Sequence, residues 1–223
     1  MLDQTTVKGR LTELHSLIKQ KTHTPIILIG HSWGAMLAYM FAGKYPKLVK
    51  KVILISSGPL EAKHAEAFQK RRNQKLSKAQ AKYLAELQTM FSKKDIDLNH
   101  HLAKMGEFME KVNSYALIDT HYDGSLFNYT TFAHISKEAL ELRNSGELFQ
   151  YGHTISCDVA VIHGEDDFHP AHAIKETLEK LNLNFRFHLL KKCGHTPWKE
   201  RYAKEAFYAI LEDVIKSSKN AFV

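Results

Sequence analysis

Residues 26–44 read IILIGHSWGAMLAYMFAGK, and this stretch decides the architecture. Ile26, Ile27, Leu28 and Ile29 form a short, wholly apolar run of the kind found in a parallel strand covered on both faces. Residues 35–44 have helical character, and Tyr45-Pro46 ends them. Between the two lies Gly30-His31-Ser32-Trp33-Gly34, a serine with a glycine two residues away on each side. A strand that turns directly into a helix forces the corner residue into a strained backbone conformation and lifts its side chain clear of the sheet. Small neighbours relieve the crowding at such a turn. The next backbone N–H, that of Trp33, then points to where an oxyanion would form, at the positive end of the helix. The pattern is not GxGxxG and no GK[ST] follows, so a phosphate-binding turn fits poorly.

Upstream, Leu2, Val7, Leu11, Leu14, Leu17 and Ile18 recur at three- and four-residue steps, which predicts an amphipathic helix over the first twenty residues, broken by Thr24-Pro25. Downstream, residues 52–55 repeat the buried-strand signature and stop at the turn cluster Ser56, Ser57, Gly58 and Pro59. From about residue 60 to 156 strand-like runs vanish and helix formers dominate, which predicts an all-helical insertion. Strand character resumes over 159–163, followed by a helix over 172–181, a strand over 185–190 and a closing helix over 200–216. The alternation predicts an α/β fold with about four parallel strands flanked by helices. Residues 1–59 and 157–223 would form its core, and 60–156 a helical cap.

Composition excludes several function classes. With 223 residues and 44% hydrophobic content the chain can bury a real core. No apolar run approaches a membrane span and no signal-like segment follows Met1, so a cytoplasmic protein is expected. Cys157 and Cys193 sit in no CxxC pair and read as ordinary thiols. The net charge of +7 raises the question of nucleic acid. Its densest stretch, from Lys63 through Lys70, Arg71, Arg72 and Lys75 to Lys82, is interleaved with Ala, Glu and Gln, as on a solvated helix face, and no nucleic-acid partner is expected.

A serine nucleophile needs a base, and the base an orienting carboxylate. At the end of the third strand stand Glu165, Asp166 and Asp167, and near the end of the fourth stands Cys193-Gly194-His195-Thr196-Pro197-Trp198. The chain order is serine, acid, histidine, which α/β-hydrolases use and the other serine-triad lineages do not. His163, His169 and His172 lie close in sequence but without HExxH-like spacing, so no metal is expected. His31 reads as a packing residue beside the serine. His100, His101, Met105 and Met109 read as cap surface and cap core.

GHSWG, GEDD and CGHTPW together resemble the three motif regions of α/β-hydrolases. GHSWGAMLAYMFAGKYP with the helical insertion is similar to the branch containing prolyl iminopeptidase-like enzymes. The resemblance implies Ser32 as nucleophile, His195 as base and Trp33 as an oxyanion donor. Counting three past Gly164 it gives Asp167 as the acid, with Asp166 the alternative. It implies no nucleotide, flavin or metal cofactor, and a cap that sets substrate preference. Glu107 and Glu110 are candidates to bind a substrate amine, against solvated helix carboxylates as the plainer reading.

In that family several strands and an HG-type loop precede the elbow, whereas one helix and one strand precede Ser32 here. Two expectations follow: an oxyanion hole with a single backbone donor, and an edge at Ile26, Ile27, Leu28 and Ile29 open to another copy or a partner chain. The functional expectation is a serine hydrolase of a small ester, amide or short peptide. The alternative is a shortened hydrolase acting as a binding or assembly module.

Overall fold

The computed structural model describes residues 5–118, 124 and 128–217; Leu2 of the predicted first helix lies outside them. Thr6 caps helix α1 (Val7–Lys21) by accepting the Gly9 N–H on its side-chain oxygen at 3.0 Å. Strand β1 (Ile26–His31) leads through Ser32 into helix α2 (Trp33–Lys44), and strand β2 (Val49–Ile55) follows. A helical region then runs through α3 (Ala65–Lys75), α4 (Lys78–Met90), α5 (Leu98–Val112), α6 (Tyr129–Asn144) and the single turn α7 (Glu147–Gln150). Strand β3 (Asp158–Gly164), helix α8 (Ala171–Lys180), strand β4 (Phe185–Leu190) and helix α9 (Lys204–Lys216) complete the order.

The strands form one parallel sheet in the order β1-β2-β3-β4. Side chains alternate across a strand, and the two faces of β2 and β3 are covered by different helices. Val52, Leu54, Val159 and Val161 pack with Val7 and Leu11 of α1, with α2, and with Ile174 and Leu178 of α8. Ile53, Ile55, Ala160 and Ile162 pack with Ala203, Phe207 and Val214 of the α9 side. This is why both inner strands are apolar at nearly every position. β1 and β4 are the edges, and Ile29 of β1 remains 44% exposed.

Several predicted boundaries move, the start of β2 at Val49 rather than 52 among them. The closing helix begins at Lys204 rather than 200, because Glu200 turns its carboxylate onto backbone N–H groups of the 113–116 and 194 loops instead of entering a helix. The end of the predicted cap packs with the core: Tyr39 donates its hydroxyl to the Phe149 carbonyl at 3.1 Å, the Thr154 hydroxyl donates to the Gly43 carbonyl at 2.7 Å, and Leu148 and Ile155 join the α2 cluster. Among the described residues, no helix is long and apolar enough to cross a membrane.

The layering predicts a contrast that urea unfolding measures. Leu54→Ala, at a site with no exposed surface, removes about 2–5 kcal/mol of stability, whereas Ile29→Ala on the edge costs under about 1 kcal/mol. Equal losses would contradict the two-faced burial.

Candidate active site

The turn from β1 into α2 leaves Ser32 alone at φ 55° and ψ −119°, left-handed backbone for a residue with a side chain. Such a conformation costs of order 1–3 kcal/mol and persists only where its surroundings impose it. The Ser32 N–H continues the sheet by donating to the Ile55 carbonyl at 2.9 Å, while the Ser32 carbonyl accepts from Ala35 and Met36 at 3.0 and 3.4 Å and starts the helix. Gly30 is a steric necessity, since a Cβ there would lie 2.1 Å from the Gly34 carbonyl oxygen. Gly34 is not: a Cβ there would meet nothing within 4 Å, so the reading that both flanking glycines relieve crowding holds for Gly30 alone. Trp33 opens α2, so its N–H has no carbonyl one turn behind it to receive it.

Three loops leave the C-terminal ends of β1, β3 and β4 and converge. Ser32 Oγ lies 2.9 Å from His195 Nε2, and His195 Nδ1 lies 2.7 Å from Asp167 Oδ2. Asp167 is an acceptor, so Nδ1 carries the donated proton and Nε2 is left to accept from the serine hydroxyl. The alternative acid, Asp166, serves the loop through its backbone: its N–H donates to the Cys193 carbonyl at 2.8 Å and its carbonyl accepts from Lys75. Asp167 has no exposed surface, and burial alone would raise its pKa. The imidazoles of His195 and His169 outweigh burial and hold the carboxyl well below the usual range, so it stays ionised.

The second carboxylate oxygen is equally committed. Asp167 Oδ1 accepts the His169 N–H at 2.9 Å, faces His169 Nδ1 at 3.1 Å and accepts from Asn113 Nδ2 at 3.3 Å. Asn113, just past α5, also accepts the Phe168 N–H on its side chain at 2.7 Å and the His195 N–H on its carbonyl at 2.9 Å, so one residue fixes both the acid loop and the histidine loop. Arg71 of α3 donates to the carbonyls of Glu165 and Asp167. Glu200, fully buried, accepts the N–H groups of Gly194, Tyr115 and Ala116 at 2.7–2.8 Å. Sequence reasoning missed Asn113, His169 and Glu200 in these roles, since no spacing marks an isolated Asn or Glu whose partners lie tens of residues away.

The remaining candidates take quieter places. His163 is fully buried and donates Nε2–H to the His169 carbonyl at 2.8 Å, while His172 packs edge-on against His64, so His163, His169 and His172 do not converge. Among the described residues the ligand-type atoms that do cluster are those of Asp167, His169 and His195, within 4.8 Å of one another and already hydrogen-bonded together. Glu107 pairs with Lys111 at 2.5 Å on an exposed face of α5, and Glu110 pairs with Lys199 at 2.9 Å, each through one carboxylate oxygen. His101 is buried in the cap and bonds the Leu87 carbonyl at 2.7 Å, while His100 is exposed. Cys157 and Cys193 do not form a disulfide, and burial pushes Cys193 up to about 12.

His31 packs between His195 and Trp198, with ring centroids 4.7 Å from each, and its Nε2–H donates to the His195 carbonyl at 2.8 Å. Burial, and then repulsion from His195, lower its pKa from 6.5 to about 4. The unfolded chain therefore binds this proton more readily than the folded one, and stability falls on acidification from about pH 6.5 to about 4. Thermal melts of His31→Asn are expected to lose less midpoint than wild type across that window; identical slopes would contradict the assignment.

A stretch of 46 residues is 35% identical to human epoxide hydrolase 4, covering 21% of this chain and only 13% of that protein's length. A carboxylesterase structure from Nitrososphaera gargenis is 19% identical, superposes with a TM-score of 0.57, and is matched over 95% of this chain and 73% of its own. A bromoperoxidase from Bacillus anthracis is 15% identical with a TM-score of 0.60, over 97% of this chain and 76% of its own. At these identities the likeness is one of fold, and the diversity of names shows how many chemistries that fold carries. The sequence model of the alpha/beta hydrolase fold matches residues 12–202, a span that includes Ser32, Asp167 and His195, and the chain belongs to the alpha/beta hydrolase fold family.

Proposed function

We propose that the chain is a serine hydrolase that cleaves a small ester, amide or short peptide through an acyl-enzyme on Ser32. The observation that carries this reading is the continuous line from Ser32 Oγ through both nitrogens of His195 to Asp167, at 2.9 and 2.7 Å. Ser32 attacks the substrate carbonyl as His195 Nε2 takes its proton, and His195 then returns that proton to the leaving group. Asp167 holds the imidazole in the tautomer with hydrogen on Nδ1 and stabilises the imidazolium that forms. The Trp33 N–H, at the positive end of α2, receives the oxyanion. Water, activated by the same histidine, releases the acyl group.

Fluorophosphonate labelling with mass spectrometry tests the proposal. A single adduct on Ser32, absent in Ser32→Ala, is the expected result. A folded protein that takes up no probe would overturn it and favour a module that binds without turning over.

A further inference from the structure

A cleft of about 520 Å³ opens beside the elbow, between α1, α2 and α6. That volume suits a small organic ligand. Trp33 and Met36 of α2 form one wall and Phe132 and Ile135 of α6 another, so the lining is largely apolar. Two guanidinium groups reach it, and they differ in kind. Arg10 is paired with Glu13 at 3.0 Å, one turn along α1. Arg143, near the end of α6, is half-buried, and among the described residues no carboxylate lies within 4 Å of it.

Arg143 is held in place without being neutralised. Its Nε donates to the Pro59 carbonyl at 2.8 Å and its Nη2 lies 3.8 Å from Met36 Sδ, while Nη1 has no acceptor among the described residues. Removal from water lowers its proton affinity, and no neighbouring acid offsets that loss. An incompletely compensated guanidinium at an apolar cleft is a costly arrangement for structure alone. A planar fork of this kind matches a carboxylate.

Position ties the cleft to the triad. Trp33 follows Ser32 directly, and Met36 sits one turn on, donating its N–H to the Ser32 carbonyl at 3.4 Å. Met36 Sδ also lies 3.7 Å from where a Cβ on Gly58 would stand, and the His169 ring approaches the same point at 3.6 Å. Met36 thus lines the cleft and approaches the His169 side of the site.

We propose that this cleft seats a carboxylate-bearing hydrocarbon portion of the substrate, with Arg143 as its counter-charge. The preferred substrates are then esters or amides that carry a carboxylate at the end of a short apolar chain. This inference rests on the serine hydrolase reading for its chemistry but not for its binding, and the test separates the two.

Calorimetric titration of Ser32→Ala with octanoate and with octanamide compares an anion with its neutral counterpart where no turnover is possible. Octanoate is expected to bind at least about tenfold more tightly, the effect of one charge-assisted hydrogen bond. Arg143→Gln should abolish the difference. Ser136→Glu, which places a carboxylate in the same cleft without disturbing the Pro59 contact, should abolish it too and guards against misfolding of the arginine variant. Equal affinity for the two ligands, no binding of either, or a preference that survives both variants would overturn the proposal. Loss of fluorophosphonate labelling with the octanoate preference intact would sink the hydrolase reading alone.

Discussion

An ionised carboxylate with no exposed surface must be matched on both oxygens, and Asp167 is the point on which the rest of the site depends. One oxygen faces His195; the other is taken by His169 and Asn113. The arrangement is reciprocal. The donors keep the acid charged, and the charged acid fixes the tautomer and tilt of the imidazole that reaches Ser32. The same neighbours fix the backbones: Asn113 receives the His195 N–H, and Arg71 and Lys75 grip the carbonyls of residues 165–167. A helical region that resembles a cap over the site is thus also its clamp.

The sheet supplies the positions that the loops refine. Ser32, Asp167 and His195 follow β1, β3 and β4 at one end of a parallel sheet, and the inner strands β2 and β3 are locked by helices on both faces. Close backbone contacts set the final spacing. A Cβ on Gly164 would lie 2.1 Å from the Gly194 carbonyl oxygen, and one on Gly194 would lie 2.0 Å from that of Asn113. The acid loop, the histidine loop and the end of α5 therefore stack backbone to backbone, which only glycine allows.

What was legible in the sequence was what local rules govern. The apolar runs of β1 and β2 and the strand-to-helix corner at Ser32 follow from neighbouring residues alone, and the chain order of serine, acid and histidine follows from the motifs. Asp166 and Asp167 could be separated only through resemblance, because adjacent residues share a composition and differ in which one turns inward. That choice is made by Asn113, 54 residues away, and by His169, whose bond to the carboxylate needs the loop already folded. Glu200 misled the reading of the last helix for the same reason: its partners at Tyr115 and Ala116 lie 85 and 84 residues back. Gly34 shows the opposite failure, a motif position whose assumed steric role the surrounding space does not require.

The most direct test of Asp167 as the organising charge is the rate of fluorophosphonate reaction at Ser32 in Asp167→Asn and Asp166→Asn. An amide at 167 keeps one acceptor oxygen of the two, so when the His169 and Asn113 donors hold that oxygen its NH2 faces His195 Nδ1 and forces the wrong tautomer. The rate is expected to fall by about 10⁴. Asp166→Asn, which leaves the backbone contacts of residue 166 in place, should react at close to the wild-type rate. Similar rates for the two variants, or a larger loss at 166, would contradict the account.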